Sequence, residues 1–485
     1  MGKVLLEKLL RSCPDISRIY VLIRSKNGQY PQDRLRKMLD GRLFTPLIHT
    51  VPNVLKKIIA VSGDITEENL GMCPSDQAMI IKNVSVIFHA AATVNFDADL
   101  ADSIKMNVKS TLSVVDIARK MDCLSSLVHV STAYSHCYSS SRIEEKMYPM
   151  PSSRWSSSSP EELIVVCQEA KLKGRDNTKD IIGPFPNTYT FTKALAEKVL
   201  EEEASDLPVA IIRPSIVVAS WKEPIPGWID NINGPTGMVV AAGAGILHTI
   251  YANPHKQADI IPVDIAINLM CTVAWKVGSQ TSSDTKKPGN IQIYNCTSSS
   301  TIPFRWGQLE DVNKYLFKYP LENMLWYPCG APMKKNKHHD RICRVLFHWI
   351  PAYFIDTVVY IARLKPINLV TIVSKMTKAM ESLEYFSTRE WSWDMQNSDL
   401  LYKELSYDDQ RLYNFSLRTF EDWDNYFENY MLGIREFVMK NDPKTLNLCR
   451  KKLTKLYVAK QATKLLFFTI CYFLLSWMWN FLSIL

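Results

Sequence analysis

Tyr189 and Lys193 are the residues of this chain whose types and spacing are best suited to chemistry. They stand four residues apart in Tyr189-Thr-Phe-Thr-Lys193, so on a helix they share one face. The lysine ammonium favours tyrosinate and is expected to lower the phenol pKa from its ordinary value of about 10. Such a tyrosine can protonate a developing alkoxide. The alternative is a tyrosine and a lysine that merely share a solvated helix face.

Two hydroxyl residues, Ser131 and Thr132, come directly after the apolar run 125–130. Ligands of open α/β sheets bind at the carboxyl ends of the strands, which is where this run would deliver both hydroxyls. Other apolar strand-like runs alternate with helical patterns along the first half of the chain. They lie at 18–24, 57–64, 84–89 and 209–213. The alternation predicts an α/β fold with a Rossmann-type, doubly wound parallel sheet.

Arg24 ends the strand predicted at 18–24. In dinucleotide-binding sheets this position meets the adenosine ribose, where an arginine suits a 2′-phosphate and an acid suits a free hydroxyl. Arg24 therefore favours NADP over NAD. The alternative is an ordinary solvent-exposed arginine.

The amino-acid composition of the chain limits the classes of protein to which it can belong. The chain has 485 residues, 47% of them hydrophobic and 22% charged, and a formal charge of +8. These values are typical of a globular protein and give no basic stripe suited to nucleic acid. The eleven cysteines form no CxxC pair, and no metal site is expected. Reduced thiols in a cytosol-facing protein are the best interpretation.

Residues 465–485 form a stretch of 21 residues without a charge, long enough to span a bilayer. Five lysines precede it between 451 and 464, so the rest of the chain is expected to face the cytosol. The alternative is a buried or interfacial helix. A second basic segment, Lys334-Lys-Asn-Lys-His-His339, is interpreted as a solvated loop that can contact CoA or membrane phosphate rather than a metal.

Several motifs resemble the extended short-chain dehydrogenase/reductase superfamily, and more closely its fatty acyl-CoA reductases, above all the vertebrate peroxisomal members. The segment from Ser220-Trp-Lys-Glu-Pro-Ile-Pro-Gly-Trp-Ile-Asp230 to Asn233-Gly-Pro235 is the most specific of them. The others are Gly2-Lys-Val-Leu-Leu-Glu-Lys-Leu-Leu10, Val21-Leu-Ile-Arg24, Phe88-His-Ala-Ala-Ala-Thr-Val94, His129-Val-Ser-Thr-Ala-Tyr134, Asn187-Thr-Tyr-Thr-Phe-Thr-Lys-Ala-Leu-Ala-Glu197 and Ile212-Arg-Pro-Ser-Ile216. The resemblance implies NADPH-dependent reduction of long-chain fatty acyl-CoA to fatty alcohol, a precursor of ether lipids and wax esters, at the peroxisomal membrane.

The resemblance also implies roles for individual residues. Tyr189 would donate the proton, Thr132 or its neighbour Ser131 would hold the carbonyl oxygen, and Lys193 would also bind the nicotinamide ribose. The remaining cofactor-binding positions implied by motif are Gly2, Asp64, Ile65, Ala90, Ala91 and Asn107.

One departure from the family pattern concerns the start of the chain. In the family a first strand and a glycine-rich loop precede the first helix, and Gly2 matches only the last glycine of that loop. The first strand and the loop are expected to be missing, as from a truncated or alternative translation start. A catalytically inactive relative that binds acyl-CoA or a partner is therefore the alternative function. A membrane-bound dehydrogenase of sterols or sugar nucleotides is a third interpretation, which the segment 221–230 disfavours.

The predicted domain order follows from these segments. Residues 1–270 are expected to form the NADP-binding reductase domain, with an insertion at 139–186 that is either a lid or a mobile loop. A substrate-domain remainder and linker at 271–345, a helical domain at 346–450 and a transmembrane tail anchor at 465–485 would follow.

Overall fold

The computed structural model describes residues 1–139, 142–153, 155–282, 290–366 and 368–482. The chain forms two compact units, each built from three segments. The first unit comprises Met1–Pro226, Gln257–Phe304 and Arg389–Glu421, and the second comprises Gly227–Lys256, Arg305–Thr388 and Asp422–Leu485. Residues 140, 141 and 154 of the predicted insertion and 483–485 of the predicted anchor lie outside the described part. The predicted domain boundaries remain predictions.

The strands are short, and those of the described part of the chain all pair in parallel, which confirms the predicted fold class. In chain order they are β1 Ile19–Ile23, β2 Ile58–Ser62, β3 Val86–His89, β4 Ser126–Val130, β5 Val209–Pro214, β6 Ile216–Val218, β7 Ile250–Tyr251, β8 Ile260–Pro262, β9 Gln292–Cys296 and β10 Met333–Lys334. The largest sheet has the order β3-β4-β5-β9.

Helices account for most of the remaining chain. The first ten are α1 Gly2–Ser12, α2 Pro31–Leu39, α3 Thr45–Thr50, α4 Pro74–Asn83, α5 Leu100–Ile104, α6 Ser110–Arg119, α7 Pro160–Leu172, α8 Thr178–Ile182, α9 Thr188–Glu203 and α10 Pro235–Gly243. The others are α11 Val263–Ser282, α12 Asn313–Lys318, α13 Lys337–Arg344, α14 Ile350–Ile361, α15 Leu369–Ser387, α16 Gln396–Glu404, α17 Tyr407–Leu412, α18 Trp423–Gly433 and α19 Leu446–Leu482.

The core of the first unit lies on β4 and β5, whose residues are all buried. Their apolar side chains pack with α6 and with the end of α9 in one cluster, through residues such as Leu127, Ile211, Val115 and Leu200. Strands buried on both faces carry continuous apolar sequence rather than alternation. This is why the runs at 125–130 and 209–213 identify central strands.

In the described part of the chain, the parallel strands of the first unit form three separate sheets, β1-β2, β3-β4-β5-β9 and β6-β8. No described strand pairs with the second edge of β1 or of β3. The β1-β2 sheet and the four-stranded sheet contribute to the same apolar cluster, for example through Leu22 and Ile87. The residues of β1 are only half-buried, in contrast with the fully buried β4. The carboxyl ends of β1 to β4 nevertheless carry the predicted site residues.

The second unit contains two helical stretches that are long and apolar enough to cross a membrane, Lys337–Ile361 and Pro443–Trp477. The sequence predicted one such helix. The described part of the predicted anchor, 465–482, lies in α19, and its residues up to Trp477 belong to the second stretch. Large apolar side chains of α19, such as Phe468 and Trp477, are about two-thirds exposed.

Candidate active site

Helix α9 carries the predicted catalytic pair. Asn187 caps its start, because the Asn187 side chain accepts a hydrogen bond of 2.9 Å from the Thr190 N–H. Tyr189, Lys193 and Glu197 follow at four-residue intervals and therefore lie along one helix face. Lys193 and Glu197 are buried on this face. The helix thus presents a phenol, an ammonium and a carboxylate in one row.

The Tyr189 hydroxyl lies near the Thr132 hydroxyl, at the carboxyl end of β4. Burial raises the pKa of Tyr189 to about 12, although Thr132 acts to lower it. The prediction that Lys193 lowers this pKa is wrong for the structure described. The reason is that burial dominates, and Lys193 is not among the groups that shift the Tyr189 pKa.

Lys193 is engaged with the sheet. Its Nζ donates a hydrogen bond of 2.7 Å to the carbonyl oxygen of Val130, the last residue of β4. Burial lowers the pKa of Lys193 to about 8, and the carboxylate of Glu197 opposes that shift. A lysine with this pKa changes charge near neutral pH.

A buried charge network surrounds Glu197. The Arg213 guanidinium binds the Glu197 carboxylate in a bidentate way, with Nη2 to Oε2 at 2.6 Å and Nε to Oε1 at 3.0 Å. His136 Nε2 lies 3.0 Å from Oε2, and the Ser131 hydroxyl donates to Oε1. Burial acts to raise the pKa of Glu197, but Arg213 and His136 together hold it well below its ordinary value. The carboxylate therefore stays charged at neutral pH.

This network separates the roles of the two neighbouring hydroxyls. The Ser131 hydroxyl points to Glu197, whereas Thr132 reaches Tyr189. The structure therefore brings Thr132, rather than Ser131, to the phenol. Sequence reasoning left this choice open and assigned no role to Glu197, Arg213 or His136. The four-residue spacing of Glu197 after Lys193 was the signal that could have found it.

Asn107 links the helix of Tyr189 to the loop after β3. Its Nδ2 donates to the Thr192 hydroxyl at 2.9 Å, and its Oδ1 accepts from the Thr93 N–H at 2.8 Å. Asn107 lies in a single π-helical turn, Lys105–Lys109, a distortion that often occurs at functional sites. The loop held in this way begins just after Ala90 and Ala91.

Arg24 and Asp64 meet at the carboxyl ends of β1 and β2. The Arg24 Nη1 lies 3.8 Å from the Asp64 Oδ2, and half of the Arg24 side chain is exposed. Burial acts to raise the pKa of Asp64, but hydrogen bonds from Thr66 and the charge of Arg24 lower it overall. Ile65 packs against the core cluster. The two predicted adenosine-binding residues are therefore adjacent in space.

Gly2 lies at the exposed amino end of α1, where an added Cβ would meet nothing within 4 Å. Open space of this kind is compatible with close approach of a ligand to the backbone. The described residues fit a nicotinamide dinucleotide at both ends: Arg24 and Asp64 suit the adenosine side, and Tyr189 and Lys193 suit the nicotinamide side.

A parallel α/β fold with hydroxyl, phenol and ammonium groups at the end of a central strand defines an oxidoreductase that binds a nicotinamide cofactor. Two family models, both described as Male sterility protein, match the chain. The first, of an NAD-binding domain, covers residues 1–270, and the second covers residues 347–441.

Named relatives agree with these matches. Fatty acyl-CoA reductase 1 of Rattus norvegicus is 40% identical over 459 residues, which are 94% of this chain and 86% of the relative. Fatty acyl-CoA reductase 2 of Bos taurus is 36% identical over 458 residues, with the same shares. The chain belongs to the fatty acyl-CoA reductase family.

Solved structures support the fold alone. The terminal R domain from the myxalamid PKS-NRPS biosynthetic pathway has a TM-score of 0.54 and 19% identity, covering 89% of this chain and 87% of that one. The reductase domain of a non-ribosomal peptide synthetase from Mycobacterium tuberculosis has the same TM-score at 15% identity, covering 89% and 88%.

Proposed function

We propose that this protein reduces long-chain fatty acyl-CoA to fatty alcohol with NADPH, supplying a precursor for ether lipids and wax esters. The observation that carries the proposal is the contact of Tyr189 with Thr132, beside Lys193, in a chain 40% identical to a fatty acyl-CoA reductase. Reduction of a thioester to an alcohol needs two hydrides: the first, with loss of the CoA thiol, gives an aldehyde, and the second gives the alcohol. Each hydride would be supplied by one bound NADPH.

The residues of this chain would handle the oxygen and the proton. Thr132 and Tyr189 would hold the substrate carbonyl oxygen, and Tyr189 would donate its hydroxyl proton as negative charge develops there. Lys193 would bind the nicotinamide ribose. Tyr189 holds its proton at neutral pH and would therefore act as a proton donor rather than as a base.

The choice of NADPH rests on Arg24. Its guanidinium is half exposed beside Asp64, at the end of β1, where it would face a 2′-phosphate. Gly2, Ala90 and Ala91 would let the backbone approach the cofactor, Asp64 and Ile65 would flank the adenine, and Asn107 would hold the loop at Thr93 in place.

A catalytically inactive, acyl-CoA-binding or partner-binding protein is the second candidate. The division of the sheet between β1 and β3 favours it, because the ends of these two strands would have to hold one cofactor between them. A single comparison separates the candidates. Purified protein is incubated with NADPH and palmitoyl-CoA, and loss of absorbance at 340 nm and formation of fatty alcohol are compared with those of Tyr189→Phe. Equal rates for both proteins would contradict the enzyme proposal.

We also propose that α19 anchors the protein in the peroxisomal membrane with the reductase part facing the cytosol. Exposed apolar side chains of α19 and the lysines that precede them support this orientation. Alkaline extraction and protease protection of isolated peroxisomes provide the test. Release of the full chain at high pH would contradict the anchor.

A further inference from the structure

The second unit has a large apolar surface that the proposed anchor does not include. It lies on the helical stretch Lys337–Ile361 and the turn after it. The large apolar side chains that it exposes, here called the α14 patch, are Ile342, Val345, Leu346, Phe347, Ile350, Tyr353, Phe354, Ile355, Val358, Tyr360, Ile361 and Leu364. We propose that the α14 patch lies flat in the surface of a phospholipid bilayer, with its apolar side chains among the acyl chains.

The α14 patch is larger than the apolar surface that a soluble monomer usually exposes to water. Three of its members, Phe354, Tyr360 and Ile361, are more than two-thirds exposed. Twelve half-exposed large side chains present an apolar area on the order of 1,000 Å². The largest apolar patch of a typical soluble monomer is roughly 300–600 Å². Water alone is therefore a poor environment for this surface.

Contacts on the opposite side of the helix exclude a spanning orientation. Asp340 accepts a hydrogen bond of 2.9 Å from Thr249, and His348 Nε2 accepts one of 2.8 Å from the His248 N–H. Asp356 accepts 2.9 Å hydrogen bonds from the first two N–H groups of α15. A helix that crossed the bilayer would have to break these contacts and bury the freed polar groups in hydrocarbon. An orientation in the membrane plane keeps them all.

Apolar packing holds the same side of the helix. Ala352 of α14 is buried against Leu369 and Val373 of α15. One stripe of α14 is thus committed to the fold and the other is exposed. The buried stripe ties α14 to the fold along its length, so the exposed apolar side can enter the lipid only with the helix lying along the bilayer surface.

The charges around the α14 patch complement an anionic lipid surface. Lys335 and Arg341 are exposed near its amino end, and Arg363 and Lys365 are exposed just beyond its carboxyl end. The two acids within the helix, Asp340 and Asp356, accept hydrogen bonds from the fold. A basic margin around an apolar face that also carries tyrosines favours lipid headgroups.

The proposed anchor lies in the same unit and would keep the α14 patch close to the bilayer. This proximity raises the effective concentration of lipid at the patch, so weak insertion is enough. The inference rests on the proposed anchor for this proximity only. The test measures the lipid contact of the α14 patch and that of the anchor separately.

The test uses the full chain in nanodiscs of phosphatidylcholine and phosphatidylserine at 7:3. A lipid whose acyl chain carries a diazirine is photolysed, and the labelled peptides are mapped by mass spectrometry. We expect label in 342–364 as well as in 465–482. Label in 465–482 without label in 342–364 would overturn the inference. Label in 342–364 without label in 465–482 would contradict the proposed anchor but would support the inference.

Variants separate lipid insertion from other causes. Phe354→Glu with Ile361→Glu is expected to reduce label in 342–364 about tenfold and to leave label in 465–482 unchanged. The matched control is Leu172→Glu, at a residue of the first unit that is 88% exposed, which should change neither. Circular dichroism verifies that each variant is folded. Unchanged label in 342–364 in the folded double variant would overturn the inference.

A comparison of two lipid compositions tests the inference even if the double variant does not fold. Wild-type protein in nanodiscs of phosphatidylcholine alone should show at least twofold less label in 342–364, because the basic margin then lacks anionic partners. Equal label in both lipids would refute the role of the charges. Discs that hold two chains with 342–364 unlabelled would assign the α14 patch to a second copy instead of lipid.

Discussion

Replacing Glu197 with glutamine is expected to destabilise the first unit strongly. The substitution keeps the side chain's shape but removes the charge that faces Arg213, and both side chains are at most 1% exposed. The guanidinium then stays buried without a countercharge. Breaking a buried ion pair by removing one partner costs about 3–5 kcal/mol. At about 1.4 kcal/mol per factor of ten, the unit should open some two to four orders of magnitude more often.

Hydrogen exchange of the full chain measures this effect. Unfolding of a chain with two units need not be a single transition, so the readout is the opening free energy of amides in β4 and β5, in the core of the first unit. Peptides from α14 and α15 serve as an internal reference and should keep their exchange rates. The matched control is Glu202→Gln on the same helix, whose exposed pair with Lys198 at 3.5 Å should contribute less than about 1 kcal/mol.

A double substitution tests the reasoning further. Arg213→Met combined with Glu197→Gln removes both charges, so its cost should be smaller than the sum of the two single costs by at least about 1 kcal/mol. The recovery should be incomplete, because Arg213 also donates to the carbonyl groups of Glu144 and Lys146. The proposed stabilising role of this ion pair would be refuted if Glu197→Gln alone lowered the opening free energy by less than about 1 kcal/mol. It would also be refuted if the cost of the double substitution equalled the sum of the two single costs.

The same carboxylate predicts the acid sensitivity of the first unit. The pKa of Glu197 is lower in the folded protein than in an unfolded chain. Its stabilising contribution is therefore complete above the unfolded pKa of about 4.3 and is lost as the pH falls through the folded pKa. Below about pH 4, the protection of β5 amides against hydrogen exchange should change less with pH in Glu197→Gln than in the wild-type protein. Parallel profiles would contradict this prediction.

Three further predictions concern the reaction. Tyr189→Phe should lower kcat by about 10²- to 10⁴-fold in the 340 nm assay while the protein remains folded, and a loss below tenfold would exclude Tyr189 as the proton donor. Arg24→Ala should reduce kcat/KM for NADPH at least about tenfold and leave that for NADH within about twofold; equal losses with both cofactors would show that Arg24 does not select the 2′-phosphate. Because the pKa of Lys193 is about 8, kcat should fall as the pH rises through 8 and the ammonium is lost, and a constant kcat up to pH 9.5 would refute this.

The sequence alone determined the fold class and placed the proposed catalytic pair on one helix. Continuous apolar runs identify buried parallel strands, and the four-residue spacing of Tyr189 and Lys193 places them on one helix face. Both signals are local, since they depend on residues within one or two turns. Thr132 was predicted in the same way, from its place directly after a strand.

Tertiary structure decided which groups meet and what their charges are. Glu197 and Arg213 are 16 residues apart, and Glu197 and His136 are 61 apart, so no spacing rule connects them. The Tyr189 pKa is raised rather than lowered because desolvation depends on everything packed around the phenol. The exposed face of α14 likewise became recognisable only when α15 covered the other side. Burial is a property of the whole fold, whereas helix and strand patterns are properties of short segments.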